Sequence, residues 1–173
     1  MKLVLKTPDA AVLGSLKPHF FQHAFHLTDD AGHWAAQPVD AGGRVPMLRL
    51  AKGRASFEVT TWDAGHPIRF VSERDSVADR CLIPVSGFSV FHDGGRQDFE
   101  PHGGGLAMVA GCWRRLNATE AASVQILLPT GGSLESGPIV IPVPHWNDWL
   151  DPARDVRQLQ RGAAESWREI EVV

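Results

Sequence analysis

Short apolar runs, cut by glycine, proline and aspartate, recur along the whole chain, and their length points to strands more than to helices. The densest lies between Arg80 and Phe91, where Cys81-Leu82-Ile83-Pro84-Val85 is followed by Gly87 and then by Phe88, Val90 and Phe91. It reads as two buried strands joined by a tight corner. Further strands are expected at 1–13, with Lys2 and Lys6 flanking Leu3, Val4 and Leu5, and at 44–50 and 56–62 around a hairpin turn at 51–54. The runs at 106–113, 123–128, 139–143 and 166–173 read the same way. Residues 68–74 form a short segment ahead of the central motif, and 92–96 is a hairpin signal. Residues 19–27 fit a strand face (Phe21, His23, Phe25, Leu27) or a helix face (His19, His23, His26), and the aromatics favour the strand. Helix is expected at 144–150, with Trp146, Trp149 and Leu150 on one side, and at the polar 152–161. Residues 29–43 read as loop. The sum is one α+β domain over 1–173: a β-rich, mostly antiparallel, barrel-like folded sheet with a few short helices.

Composition changes this picture only at a few points. With 43% hydrophobic and 21% charged residues, a chain of 173 residues can bury a core, and disorder is not expected. No run approaches the roughly 18 apolar residues of a membrane span. The start, Met-Lys-Leu-Val-Leu-Lys, lacks the apolar region and cleavage site of a signal peptide, so the expected location is the cytoplasm, with no membrane partner. A net charge of −3 lowers the expectation of nucleic-acid binding, although an acidic chain can carry a local basic groove. Cys81 and Cys112 sit in apolar runs without a C-x-x-C spacing and read as buried and inert. His19, His23 and His26 invite a metal, but no carboxylate stands nearby at a recognisable ligand spacing, so neither metal nor cofactor is assigned. Gly103-Gly104-Gly105 is no phosphate cradle, because no Lys-Ser/Thr follows it.

The run Arg80-Cys81-Leu82-Ile83-Pro84, with Gly87-Phe88 two residues on, closely resembles the core motif of the SRAP domain. This is the SOS response-associated peptidase family, which acts on abasic sites in single-stranded DNA. Weaker similarities cover most of the chain. Arg44-Val45-Pro46-Met47-Leu48-Arg49 is similar to the family's Pro-Val-Pro-Val-Val-Arg strand, and the segment from Phe57 to Trp62 to its Trp-Gly-Leu-Val-Pro-Ser-Trp. Ala110-Gly111-Cys112-Trp113 resembles Ala-Gly-Leu-Trp, and Pro138-Ile139-Val140-Ile141-Pro142 resembles Pro-Val-Ile-Leu-Pro.

The resemblance implies the family's fold and, where the residues are kept, its chemistry. In that chemistry an N-terminal Cys condenses through its amine and thiol with the aldehyde of an opened abasic sugar, aided by a side-chain amide, a Glu and a His. Those four positions hold Lys2, Arg69, Val90 and Leu134 here. Without the sulfur the thiazolidine ring cannot close, and losing one member of a cooperating set already costs orders of magnitude in rate. No catalytic residue is therefore assigned. The amines of Met1 and Lys2 could still form a Schiff base, with His66, His92, Glu73 or Glu100 as bases by proximity alone.

What the resemblance leaves is binding. Single-strand binders combine phosphate-contacting cations with aromatic platforms. Arg44, Arg49, Arg69, Arg80, Arg114 and Arg115 are the candidate cations, and Trp62 and Trp113 the candidate platforms. The competing roles are ion pairing for each Arg and core packing for Trp113. The leading expectation is a catalytically inactive SRAP-like protein that holds single-stranded or damaged DNA, or a protein partner. The alternatives are an abasic-site enzyme with relocated groups, crosslinking or lyase, and an interaction module that uses Trp146 and Trp149 without nucleic acid.

Overall fold

The computed structural model describes residues 1–117, 121–162 and 164–171. In chain order it contains β1 (Lys2–Thr7), α1 (Ala10–Ser15), β2 (Ala24–Leu27), α2 (Asp29–Gly32), β3 (Gln37–Asp40), β4 (Arg44–Ala51), β5 (Arg54–Trp62) and β6 (Ile68–Val71). Then follow β7 (Arg80–Val85), β8 (Gly87–His92), β9 (Gly95–Pro101), β10 (Ala107–Arg115), β11 (Ala121–Pro129), α3 (Trp146–Leu150) and β12 (Trp167–Ile170). The smaller sheet is antiparallel, in the order β12-β9-β8-β1-β3. The larger runs β2-β5-β4-β7-β10-β11-β6 and is mixed, because β2 lies parallel to β5 and β6 parallel to β11.

The expected α+β class describes this arrangement, but the mostly antiparallel barrel does not. Each sheet ends in two edge strands, β12 and β3 in one, β2 and β6 in the other. The additional parallel pairing of β5 with β11 spans only Ser123↔Thr61 and Val124↔Trp62, and leaves β2 and β6 as edges. Alternation along a strand reports which side is buried and carries no information on which strands become neighbours. That is why the sequence misled here.

The layering explains the pattern of apolar runs. On one side of the larger sheet Leu48, Leu82, Met108 and Ala110 pack with Leu13, Phe20, Trp146 and Trp149 from the helical segments. On the other side Met47, Ile83, Val109 and Ile126 pack with Leu3, Leu5, Phe88 and Val90 from the smaller sheet. Strands buried on both faces lose their polar alternation, as in the continuous run Cys81-Leu82-Ile83-Pro84-Val85. β1 belongs to the smaller sheet, which has one open face, and so keeps Lys2 and Lys6 between its apolar residues.

The central motif is the point where the chain crosses between sheets. β7 pairs with β10 in the larger sheet and β8 with β1 in the smaller. Gly87 makes the step possible, because a side chain there would collide with the carbonyl oxygen of Phe99. Pro84 is tolerated because β7 meets β4 only at Leu48↔Leu82, so no ladder partner in β4 stands opposite it.

Several local expectations are corrected. The 1–13 strand stops at Thr7, and Asp9 caps α1 by accepting from the Val12 N–H at 3.1 Å. The supposed loop at 29–43 holds α2, capped by Thr28, as well as β3. In 19–27 only Ala24–Leu27 is strand, preceded by a 3₁₀ turn at Lys17–Phe20. Residues 139–143 make a single bridge, Val140 to Val109, and no strand. The 152–161 helix shrinks to a 3₁₀ turn at Arg157–Gln160. Of 166–173, Trp167–Ile170 forms β12, while residues 172 and 173 lie outside the described residues.

Candidate nucleic-acid interface

The four positions that the resemblance marks for chemistry do not form a site. β1 pairs with β8 so that Lys2 faces Phe91 and Leu3 faces Val90. Strand alternation then sends Leu3 and Val90 into the core and Lys2 to the outer face. On that face Lys2 is ion-paired with Asp40 and lies 5.9 Å from the centre of the Phe91 ring. Val90 is fully buried, and Leu134 packs against the same apolar cluster. Arg69 is exposed on edge strand β6, and the Cys112 thiol donates to Gln125 Oε1 at 3.6 Å. Burial pushes the thiols of both Cys81 and Cys112 up, and both are buried as expected. The bases suggested by proximity serve local contacts: Glu73 pairs with Arg161 at 3.1 Å, Glu100 with Arg168, and His92 with Gln97 at 2.6 Å. Among the described residues no three His, Cys, Asp or Glu side chains are placed to hold a metal ion.

The candidate binding residues separate into two groups. Trp62 is fully buried and donates its indole N–H to the Pro67 carbonyl at 2.9 Å, so it offers no face to a ligand. Arg44 pairs with Asp30 at 3.0 Å, away from the others. Arg114 pairs with Asp63 at 3.1 Å, and the His66 amide together with Arg114 holds that carboxyl below its usual range. Arg80 is a structural clamp. Its guanidinium donates to the carbonyls of Trp149 (2.6 Å), Val77 (3.2 Å), Asp151 and Arg154 (3.2 Å), and so ties β7 to the segment after α3.

Arg49, Trp113 and Arg115 do come together. Trp113 ends the buried part of β10, and a register shift between Arg114 and Arg115 redirects the strand there. The Arg49 guanidinium lies 4.5 Å and that of Arg115 4.6 Å from the Trp113 ring centre. Arg49 is buried and bonded to Glu58 at 2.9 Å, whereas Arg115 is half-exposed and pairs with Asp79 at 2.8 Å.

These three line an open groove at the end of the β4–β5 hairpin, in two connected lobes of about 770 and 550 Å³. Both lobes share Leu50, Lys52, Trp113 and Arg115. Seven Lys and Arg residues line the groove (Arg49, Lys52, Arg54, Arg80, Arg115, Arg154, Arg157) against two carboxylates, Asp79 and Asp155. The Arg157 side chain hydrogen-bonds Asp155 and holds its pKa at about 2, so it stays anionic. Lys52 and Arg54 make no ion pair with any described residue. Glu58 pairs with Arg49, and Asp148 and Asp151 each lie 3.9 Å from Arg154, so the positive excess of the groove, on a chain of net charge −3, comes from Lys52, Arg54 and Arg80.

The backbone at this groove is unusual as well. Lys52 (φ 52°) and Asp79 (φ 52°) are the non-glycine residues at positive φ among the described residues, and both line it. Lys52 precedes Gly53 (φ 74°) in a two-residue hairpin turn, where the first place more often goes to Asn, Asp or Gly. Left-handed backbone at a long charged residue costs free energy, and such costs gather where a side chain is needed for function. Sequence reasoning missed Lys52, Arg54, Asp79 and Arg157. The Lys-Gly turn was the one visible signal.

No family model and no curated protein matches the chain. Solved structures do. A protein from Bordetella bronchiseptica matches at TM-score 0.63 and 13% identity, over 100% of both chains. One from Bacteroides thetaiotaomicron matches at TM-score 0.64 and 10% identity, over 98% of this chain and 90% of that one. A phage-related protein from Bordetella bronchiseptica gives TM-score 0.60 and 16% identity, over 99% and 95%. At these identities the likeness is one of fold alone. Among the described residues no helix is long and apolar enough to cross a membrane.

Proposed function

We propose that this chain is an SRAP-like protein that has lost abasic-site chemistry and holds single-stranded DNA in the groove between the β4–β5 hairpin and the segment after α3. The observation that carries the reading is the groove itself, where Lys52 and Arg54, in no ion pair with a described residue, stand beside the Arg-covered Trp113. Loss of chemistry is supported by the placement of Val90 and Leu134 in an apolar cluster, with the Lys2 amine on the opposite face of the smaller sheet. A carboxylate at position 90 would face hydrocarbon. The same placement argues against a relocated lyase built on Lys2, whose ammonium is engaged by Asp40. We propose the cytoplasm as the place where it works.

Fluorescence anisotropy with a single-stranded oligonucleotide across a salt series tests the reading. Binding that weakens linearly on a log–log plot is expected, since each phosphate contact contributes a slope of about −0.7 on single strands. Reversing the two unpaired cations together, Lys52→Glu with Arg54→Glu, is expected to lower affinity at least about tenfold while leaving the unfolding midpoint nearly unchanged. Retention that ignores salt, or a double variant that binds as well as the parent, would overturn it. No stable crosslink to abasic single-stranded DNA is expected on a denaturing gel.

A further inference from the structure

Within that proposed groove the Trp113 ring is not the surface a base would meet. Trp113 is only 7% exposed, and two guanidinium groups lie over it. Arg49 is the inner one, buried and bonded to Glu58. Arg115 is the outer one, its side chain 55% exposed. We infer that the groove recognises unpaired bases through Arg115, whose guanidinium, backed by the Trp113 ring, serves as the stacking platform, so that the ligand class is single-stranded nucleic acid read by its bases as well as its phosphates.

Three features support this assignment. The first is the way Arg115 is held. Asp79 bonds it at 2.8 Å, and Asp79 is itself fixed, because its carbonyl accepts the Trp113 N–H at 2.9 Å and the next residue is the clamped Arg80. A guanidinium gripped at its edge by a carboxylate and backed by an indole keeps one planar side for a further ring, which is how guanidinium planes take up splayed bases. The second is the cost accepted to build the grip, namely positive φ at Asp79 and the register shift before Arg115. The third is Gln160, which lines the same groove and is 1% exposed. Its amide nitrogen donates to the carbonyls of Ser72 (2.7 Å) and Asp75 (2.8 Å), which fixes the amide orientation and leaves Oε1 without a partner among the described residues. A buried acceptor repels phosphate and suits the N–H edge of a base.

The inference rests on the groove reading, and the test separates the two. Affinities of the wild type, Arg115→Lys and Arg115→Ala are measured for a dT oligomer and for inorganic polyphosphate, which has charge and no bases. Lysine keeps the charge and lacks the plane. Arg115→Lys is expected to lose about tenfold for the dT oligomer, within the range of one lost stack, and to keep its polyphosphate affinity within about twofold. Arg115→Ala is expected to weaken both. Equal losses for the two probes with Arg115→Lys, or no loss for either, would overturn the stacking platform while leaving the groove reading in place. A wild type that retains neither probe would overturn both.

Discussion

Val90 and Trp113 belong to one apolar cluster between the two sheets, yet their surroundings could hardly differ more. Around Val90 the cluster is closed by Leu3, Phe88 and Trp167, and Leu134 packs on it without a charge. Around Trp113 it opens into a groove where Arg49 and Arg115 cover the ring and Lys52 and Arg54 make no ion pair among the described residues. The resemblance placed reactive groups at the first location, where this chain puts hydrocarbon. Charge and backbone strain are found at the second. A core that holds two sheets together selects for packing, whereas its rim can carry cations because water solvates them.

This contrast can be broken or sharpened by experiment. The largest effect is expected from Val90→Glu, which restores a carboxylate at the position the resemblance marks. A charge buried there without a partner should cost about 3–5 kcal/mol of stability, read as a fall in the urea midpoint. A variant as stable as the parent would mean that the junction is wet and polar after all.

The opposite face of the same strand gives the second test. Asp98, opposite Ser89 in the β8–β9 pairing, is buried, which pushes its carboxyl up. Hydrogen bonds from Arg96 (2.8 Å) and Ser89, with the charge of Lys6, outweigh that and leave it below its ordinary 3.8. A depressed folded pKa stabilises above the unfolded pKa, and the contribution disappears as pH falls through the folded value. Asp98→Asn should therefore cost about 1 kcal/mol at neutral pH, and its gap to the wild type should close below about pH 4. A gap that stays constant down to pH 2–3 would show that the ion pairs contribute nothing.

The smallest stability effect belongs to the groove. Lys52→Gly relieves the positive φ and should raise stability by about 0.5 kcal/mol, the gain in turn geometry being partly offset by glycine's chain entropy. Oligonucleotide affinity should fall a few-fold in the same variant. Higher stability with unchanged affinity would detach the strained turn from binding.

The local chemistry of the chain was legible where short-range physics decides. The β4–β5 hairpin around Lys52-Gly53, the corner at Gly87 and the burial of both cysteines follow from turn residues and apolar runs. The site was legible only in part. Arg49, Arg80, Trp113 and Arg115 were among the residues singled out, but so were Trp62, which is sealed inside, and Arg44 and Arg114, which pair elsewhere. Arg80 lines the groove yet is occupied as a clamp on four carbonyls. Nothing in a linear reading distinguishes an arginine that grips backbone from one that faces solvent.

From its order of residues alone, this chain determined that it would form short strands with tight turns, and that Leu3 and Leu5 would take the side of β1 opposite Lys2 and Lys6, because alternation and turn geometry act over a few residues. Which strands became neighbours, that the sheets kept open edges, and that Arg49, Asp79, Arg115 and Gln160 came to line a common groove were decided only in three dimensions. The physical reason is that each of those facts depends on contacts between segments far apart in the chain, and no local pattern encodes their partner.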